Sequence, residues 1–203
     1  MKQLLIDHTP FQQAKLTLFE GKGSKDGLVT LVGKLQEAEQ KNGNGRVYPR
    51  EILEREVRKY QEGPVKTRTA LGELDHPEAS VVNLANTSHV ITEVWWNGND
   101  LMGKLQLLPT PAGNIAKALV LSNIPLGISS RGMGSVKQLG ETVEVQDDFE
   151  LLCWDLVSVP STPQAYMKLA EGKQHIKTIS DYSKVNELIT EIICSQTGVC
   201  PLC

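Results

Sequence analysis

At 203 residues, with 40% apolar and 22% charged side chains, the chain has the composition of an ordinary globular protein long enough to bury one sizeable core. Its 21 basic and 24 acidic residues give a formal net charge of -3 with both signs interspersed, which leaves no electrostatic case for nucleic acid or an anionic membrane as partner. No run approaches the roughly 20 apolar residues of a membrane span. The patch Leu4-Leu5-Ile6 is too short for a signal peptide, so the protein is expected to act in the compartment where it is made.

Taken in chain order, residues 15–19 read as a strand, and the segment from Gly21 to Gly27 as a flexible joint. Residues 28–35 are apolar and β-branched, another strand. Asn42-Gly43-Asn44-Gly45 is turn chemistry, and Pro49 opens a helix over 50–60 whose Ile52, Leu53, Val57 and Tyr60 share one face. Residues 70–77 read as a short strand that stops at the corner before Pro77. Strands over 88–96 and 101–108 flank Asn97-Gly98-Asn99-Asp100, a hairpin signal. A helix follows over 110–122, with Ile115, Leu119 and Ser122 on one stripe and Ala116 beside it. Residues 125–136 form a glycine- and serine-rich strand and turn, then strands are expected over 142–145 and 149–159, a rigid Pro160-Ser161-Thr162-Pro163 loop, and helices over 164–171 and 182–193. Short, mostly antiparallel strands with two or three helices predict an α+β domain on a small barrel or sandwich.

Four histidines offer general-base chemistry. His8 and His175 lie near the ends, where a solvated surface position is expected, and His89 alternates with apolar residues as one face of a strand. His76 sits in a compact Gly-Glu-Leu-Asp-His-Pro corner with Glu73, Asp75 and Glu78 around it, and a neighbouring carboxylate raises and orients an imidazole. Ser129 and Ser130 lie among Gly127, Gly132 and Gly134, beside Arg131; glycines allow backbone to approach a substrate. The sequence there is not the Gly-x-Ser-x-Gly elbow of α/β hydrolases. Asp155, inside the apolar run Cys153-Trp154-Asp155-Leu156-Val157, needs a partner if buried, and a histidine N–H is one.

In order, Asn44-Gly45-Arg46-Val47-Tyr48-Pro49-Arg50-Glu51-Ile52-Leu53-Glu54, Ala70-Leu71-Gly72-Glu73-Leu74-Asp75-His76-Pro77, Trp95-Trp96-Asn97-Gly98-Asn99-Asp100, Ile124-Pro125-Leu126-Gly127-Ile128-Ser129-Ser130-Arg131-Gly132-Met133-Gly134-Ser135 and Asp155-Leu156-Val157 with Pro160-Ser161 form five blocks. Together they resemble the prohead core proteases of T4-type tailed bacteriophages, over roughly two thirds of the chain. The resemblance implies a fold similar to herpesvirus assembly proteases, a mostly antiparallel β-barrel surrounded by helices. It places the catalytic histidine on His76 and the nucleophile on Ser129, the first serine of its block. The herpesvirus enzymes carry a histidine as third member, on a strand after the serine. Here Asp155 occupies that region and is assigned as orienter, with Asp75 or Glu73 as alternatives. Ser130, Arg131 and Gly132 are candidates for oxyanion or substrate contact, through the backbone of an Arg131-Gly132 turn.

The resemblance also implies cleavage of scaffold, core and major capsid proteins inside the assembling prohead, in the host bacterial cytoplasm. Cleavage falls after a glutamate preceded by an aliphatic residue two positions earlier, and the enzyme cuts itself out of a zymogen. Glu20, Glu171 and Glu191 fit that pattern. The expected organisation is therefore an N-terminal flexible segment or propeptide over 1–27, a protease domain over 28–171 and a removable helical tail over 172–203. Neither cofactor nor metal is expected, and a homo-oligomer is left open because the herpesvirus enzymes dimerise. One rival is a non-enzymatic capsid core or scaffold component that keeps the fold. Another is zinc on Cys194, Cys200 and Cys203 with His175, but Cys-x5-Cys-x2-Cys lacks a paired Cys-x2-Cys; free thiols fit better.

Overall fold

The computed structural model describes residues 2–6, 29–77, 79–158 and 165–169. Among them are eleven strands, β1 (Gln3–Ile6), β2 (Thr30–Glu37), β3 (Arg46–Val47), β4 (Leu71–Glu73), β5 (Thr87–Asn97), β6 (Asp100–Leu107), β7 (Gly127–Gly134), β8 (Val136–Leu139), β9 (Thr142–Val145), β10 (Glu150–Val157) and β11 (Met167–Leu169). Two α-helices, α1 (Arg50–Tyr60) and α2 (Pro111–Leu121), interrupt them. The fold is mixed α+β with mostly antiparallel sheets, in the class the strand and helix pattern predicts. None of the described helices is long and apolar enough to cross a membrane.

The described strands form three sheets, ordered β11-β2-β6-β5-β4, β1-β7-β10 and β3-β9-β8. All neighbours are antiparallel except β3 and β9. The hairpin expected at Asn97 joins β5 to β6, with Asn97 opposite Asp100 and Gly98-Asn99 as its loop. Two bridges link the first two sheets: Leu74 with Leu156, parallel, and Gly127 with Tyr166, antiparallel. Leu31, Leu35, Ile91, Leu101, Leu105, Ile128, Trp154 and Leu156 are buried in one cluster between these elements. α1 closes one side with Leu53, Val57 and Tyr60, and the Tyr60 ring meets Trp154 edge-on at 4.9 Å.

Three expectations change. The apolar stripe of α2 is not Ile115, Leu119 and Ser122: Ile115 is 55% exposed, and the buried face is Ala112, Gly113, Ala116 and Val120. The helix packs so closely on the sheet that a Cβ on Gly113 would lie 2.0 Å from the Leu108 carbonyl oxygen and 2.7 Å from that of Ser88. Small residues, not the largest apolar ones, therefore mark its inner face. Of the helix expected over 164–171, the described residues 165–169 instead lead into and form β11, with Met167 opposite Gly33 on β2 and Ala165, Tyr166 and Met167 buried; pairing with β2 outweighs local helix propensity. β1 lies within the segment expected as an N-terminal extension, yet it pairs with β7 and buries Leu5 in the core. The strand expected over 15–19, the joint over 21–27, the 160–163 loop and the 182–193 helix lie outside the described residues, as do the boundaries near Gly21 and Glu171.

Candidate active site

β7 and β10 set the site by register. Ser129 stands opposite Asp155, and Arg131 opposite Cys153. Alternation along a strand puts Ser129 and Arg131 on one face and Ser130, opposite Trp154, on the other. A serine and a carboxylate thus become direct cross-strand neighbours, a separation at which Cβ atoms lie roughly 5 Å apart.

The third residue arrives from the end of β4. After Glu73 the chain bridges to β10 through Leu74, and the Asp75 N–H donates to the Leu156 carbonyl at 2.7 Å. Asp75 then adopts φ 70°, a left-handed conformation that aspartate tolerates, and its own carboxylate accepts the His76 N–H at 3.0 Å. This sharp corner swings the imidazole back onto β10, where His76 Nδ1 lies 2.7 Å from Asp155 Oδ2. Of the three orienters weighed from sequence, Asp155 holds the ring. Asp75 makes the turn, and Glu73 faces Arg131.

Asp155 is saturated. Its Oδ2 also lies 3.0 Å from Arg131 Nε, and its Oδ1 accepts the Glu73 N–H at 2.9 Å and Arg131 Nη2 at 3.2 Å. Burial opposes its ionisation, but hydrogen bonds from His76 and the Glu73 N–H, with the charges of His76 and Arg131, outweigh that and hold the carboxyl below its ordinary value. An ionised Asp155 accepts from Nδ1–H, which fixes the tautomer and leaves Nε2 as the nitrogen a hydroxyl would address. Ser129, Asp155 and the His76 side chain are all at 0% exposure.

The remaining candidates fall elsewhere. The turn expected at Arg131-Gly132 is absent: both lie mid-strand in β7, with Gly132 opposite Leu5 on one side and Leu151 on the other. The Arg131 guanidinium is buried against Glu73 and Asp155, not presented to a substrate. The sequence signal for this was available, because Arg131 stands two residues from Ser129 on a strand and therefore shares its face. Cys153 is buried, and its thiol accepts from Arg131 Nε at 3.3 Å; burial pushes its pKa far up, which removes it as a nucleophile. No group of three or more metal-ligating side chains occurs among the described residues. His8, Glu20, Glu171, His175, Glu191 and the cysteines at 194, 200 and 203 lie outside them.

His89 is a second buried imidazole close by, on β5. Its Nε2 lies 3.1 Å from the Trp154 carbonyl, which can only accept, so Nε2 carries the proton and Nδ1 accepts from the Ser88 hydroxyl at 2.8 Å. The backbone crowds it: a Cβ on Gly72 would lie 2.4 Å from the ring and 2.1 Å from the Trp154 oxygen. Burial lowers its pKa from 6.5 to about 4. The unfolded chain therefore takes up this proton near pH 6.5 and the folded one only near 4, so stability falls across that window as pH drops. The expected loss is about 3 kcal/mol by pH 4. Urea unfolding at pH 7, 5 and 4 checks it against His89→Gln, whose curve should be flatter; equal slopes for the two proteins would sink the assignment.

Comparison with known proteins points one way. The family model described as prohead core protein serine protease matches residues 2–175. The prohead core protein protease of Enterobacteria phage T4 is 35% identical over 170 residues, covering 80% of this chain and 77% of that protein. The solved structure of the bacteriophage T4 capsid assembly protease superposes with a TM-score of 0.68 at 31% identity, over 77% of this chain and 97% of the other.

Proposed function

The chain belongs to the prohead core protein serine protease family, and we propose that it is a serine endopeptidase with Ser129 as nucleophile, His76 as base and Asp155 as orienter. The observation that carries this reading is the 2.7 Å bond between His76 Nδ1 and Asp155, with Ser129 directly across the ladder from the same aspartate. His76 Nε2 takes the Ser129 proton as Oγ attacks the scissile carbonyl, and Asp155 supports the imidazolium that forms. The proton passes to the leaving amine. Water, deprotonated by the same imidazole, then releases the acyl group and regenerates the serine.

The substrates are the scaffold, core and major capsid proteins of the prohead in which the enzyme is enclosed, cut after an aliphatic-x-Glu sequence. The chain is made as a zymogen that processes itself before it acts in trans. The bridges at Leu74–Leu156 and Gly127–Tyr166 support a barrel-like closure akin to that of the herpesvirus assembly proteases.

Incubating the full chain with scaffold protein and a fluorophosphonate probe tests the reading. The probe should attach to Ser129, and fragment masses should end in glutamate. An active chain of unchanged mass would overturn the self-processing. Neither labelling nor cleavage would overturn the enzyme and leave the non-enzymatic core component.

A further inference from the structure

We propose that Arg131 is a positioning residue for the His76–Asp155 pair, with Glu73 as its counter-charge; this rests on the reading of Asp155 as the partner of a catalytic histidine. One guanidinium makes three separate attachments around the corner that carries His76. Arg131 Nη2 holds Glu73 Oε1 at 2.8 Å, just before the corner, and Nη1 donates to the Ala79 carbonyl at 2.8 Å, just after it. Nη2 also donates to Asp155 Oδ1 at 3.2 Å, and Nε, whose N–H goes to Cys153 Sγ, lies 3.0 Å from Oδ2. The corner between residues 74 and 78 is thus gripped at both feet by the side chain that also fixes the carboxylate facing it. Glu73 extends the grip, because its Oε1 accepts the Asn83 N–H at 3.0 Å further along the same loop.

Arg131 reaches this place because it lies two residues from Ser129 on the same face of β7. Nucleophile and guanidinium therefore move as one rigid strand, and the guanidinium transmits that strand's position to the imidazole. A planar, permanently charged guanidinium suits this role because its N–H donors point in fixed directions and reach Glu73, Ala79 and Asp155 at once, where an ammonium offers a single point of charge. The side chain is at 0% exposure, so solvent does not screen these contacts. The groups facing Asp155 are His76 and Glu73 from the β4 corner, Arg131 from β7, Cys153 on its own strand, His89 from β5 and Tyr60 from α1. Arg131 is the permanent cation among them.

A purely structural ion pair makes a different prediction from a positioning one. In the double variant Arg131→Met/Glu73→Gln the two members of one buried pair leave together, and Asp155 keeps His76 and the Glu73 N–H as partners. If Arg131 positions the site, this variant folds, with kcat lowered about 100-fold and KM changed little, as misplacement of a catalytic group by an ångström predicts. The acid limb of kcat/KM also moves to higher pH, because Asp155 binds a proton more readily without the neighbouring cation. Wild-type kcat and an unmoved limb would overturn the proposal. Should the double variant fail to fold, Arg131→Lys decides: it keeps the charge and loses the directed donors, so a fall in kcat of about tenfold is expected, and unchanged kcat overturns the idea. A Ser129→Ala arm separates the two levels. If that variant still cleaves, the active-site reading has failed. If it is dead while the Arg131 variants match wild type, only the positioning role has failed.

Discussion

Ser129→Ala is expected to give a folded protein that no longer cleaves scaffold, with kcat down about 10⁵-fold or more, the scale seen when a serine protease loses its nucleophile. The fold should tolerate the change because the substitution removes one oxygen from a small buried side chain and leaves the β7 backbone ladder to β10 untouched. A cost of roughly 1–3 kcal/mol is expected for the lost hydroxyl contact. The informative control is Ser130→Ala. Ser130 stands opposite Trp154, on the other face of β7 from Asp155, so its loss should leave turnover within a few-fold of wild type. Gel analysis of scaffold cleavage reads both variants. If Ser130→Ala is the dead one, the strand register assigned to the nucleophile is off by one residue.

Asp155→Asn should be nearly as severe and should fail in two ways at once. An amide cannot hold the imidazole in the tautomer that leaves Nε2 free to take a proton, and the same change in a Ser-His-Asp protease lowers kcat about 10⁴-fold. The second failure is structural. Oδ2 accepts from His76 and Oδ1 from the Glu73 N–H and Arg131 Nη2, and an amide nitrogen in either place sets donor against donor. Loss of one partner from a buried ion cluster costs roughly 3 kcal/mol. The pH dependence follows from the carboxyl lying below its ordinary 3.8 in the folded protein. Its contribution is complete above that pH and fades as the pH falls through the lower folded value. The stability gap between wild type and Asp155→Asn should therefore be constant near neutrality and close in strong acid. Urea titrations at pH 7 and at pH 3, beside peptide turnover at pH 7, check both parts.

How far the residues alone reveal the fold varies by element. The β5–β6 hairpin, α1 and the strand through Asp155 are legible because turn chemistry and hydrophobic spacing agree there. β11 is not, since the partner that makes residues 167–169 a strand is β2, more than a hundred residues away in sequence. The inner face of α2 is hidden for a related reason: close approach to β5 selects Ala and Gly, which hydrophobic ranking discounts. At the site, residue types and spacing raise His76, Ser129 and Asp155 as candidates, but only the β7–β10 register and the Asp75 corner decide among Asp155, Asp75 and Glu73. Arg131 reads from sequence as a charge turned toward substrate. Its burial depends on Glu73 and Asp155 meeting it from two other strands, which no local pattern records.

The place of β10 sets when the site can exist at all. It pairs with β7 along one side, and its Leu156 bridges to Leu74 on the other, so it aligns the strand of Ser129 with the corner of His76. Asp155 follows Ser129 by 26 residues. On a ribosome adding about 5–20 residues per second, His76 and Ser129 are both made one to several seconds before the strand that brings Asp155 to them. In a nascent chain the three residues of the site are therefore assembled late, only when β10 pairs with β7.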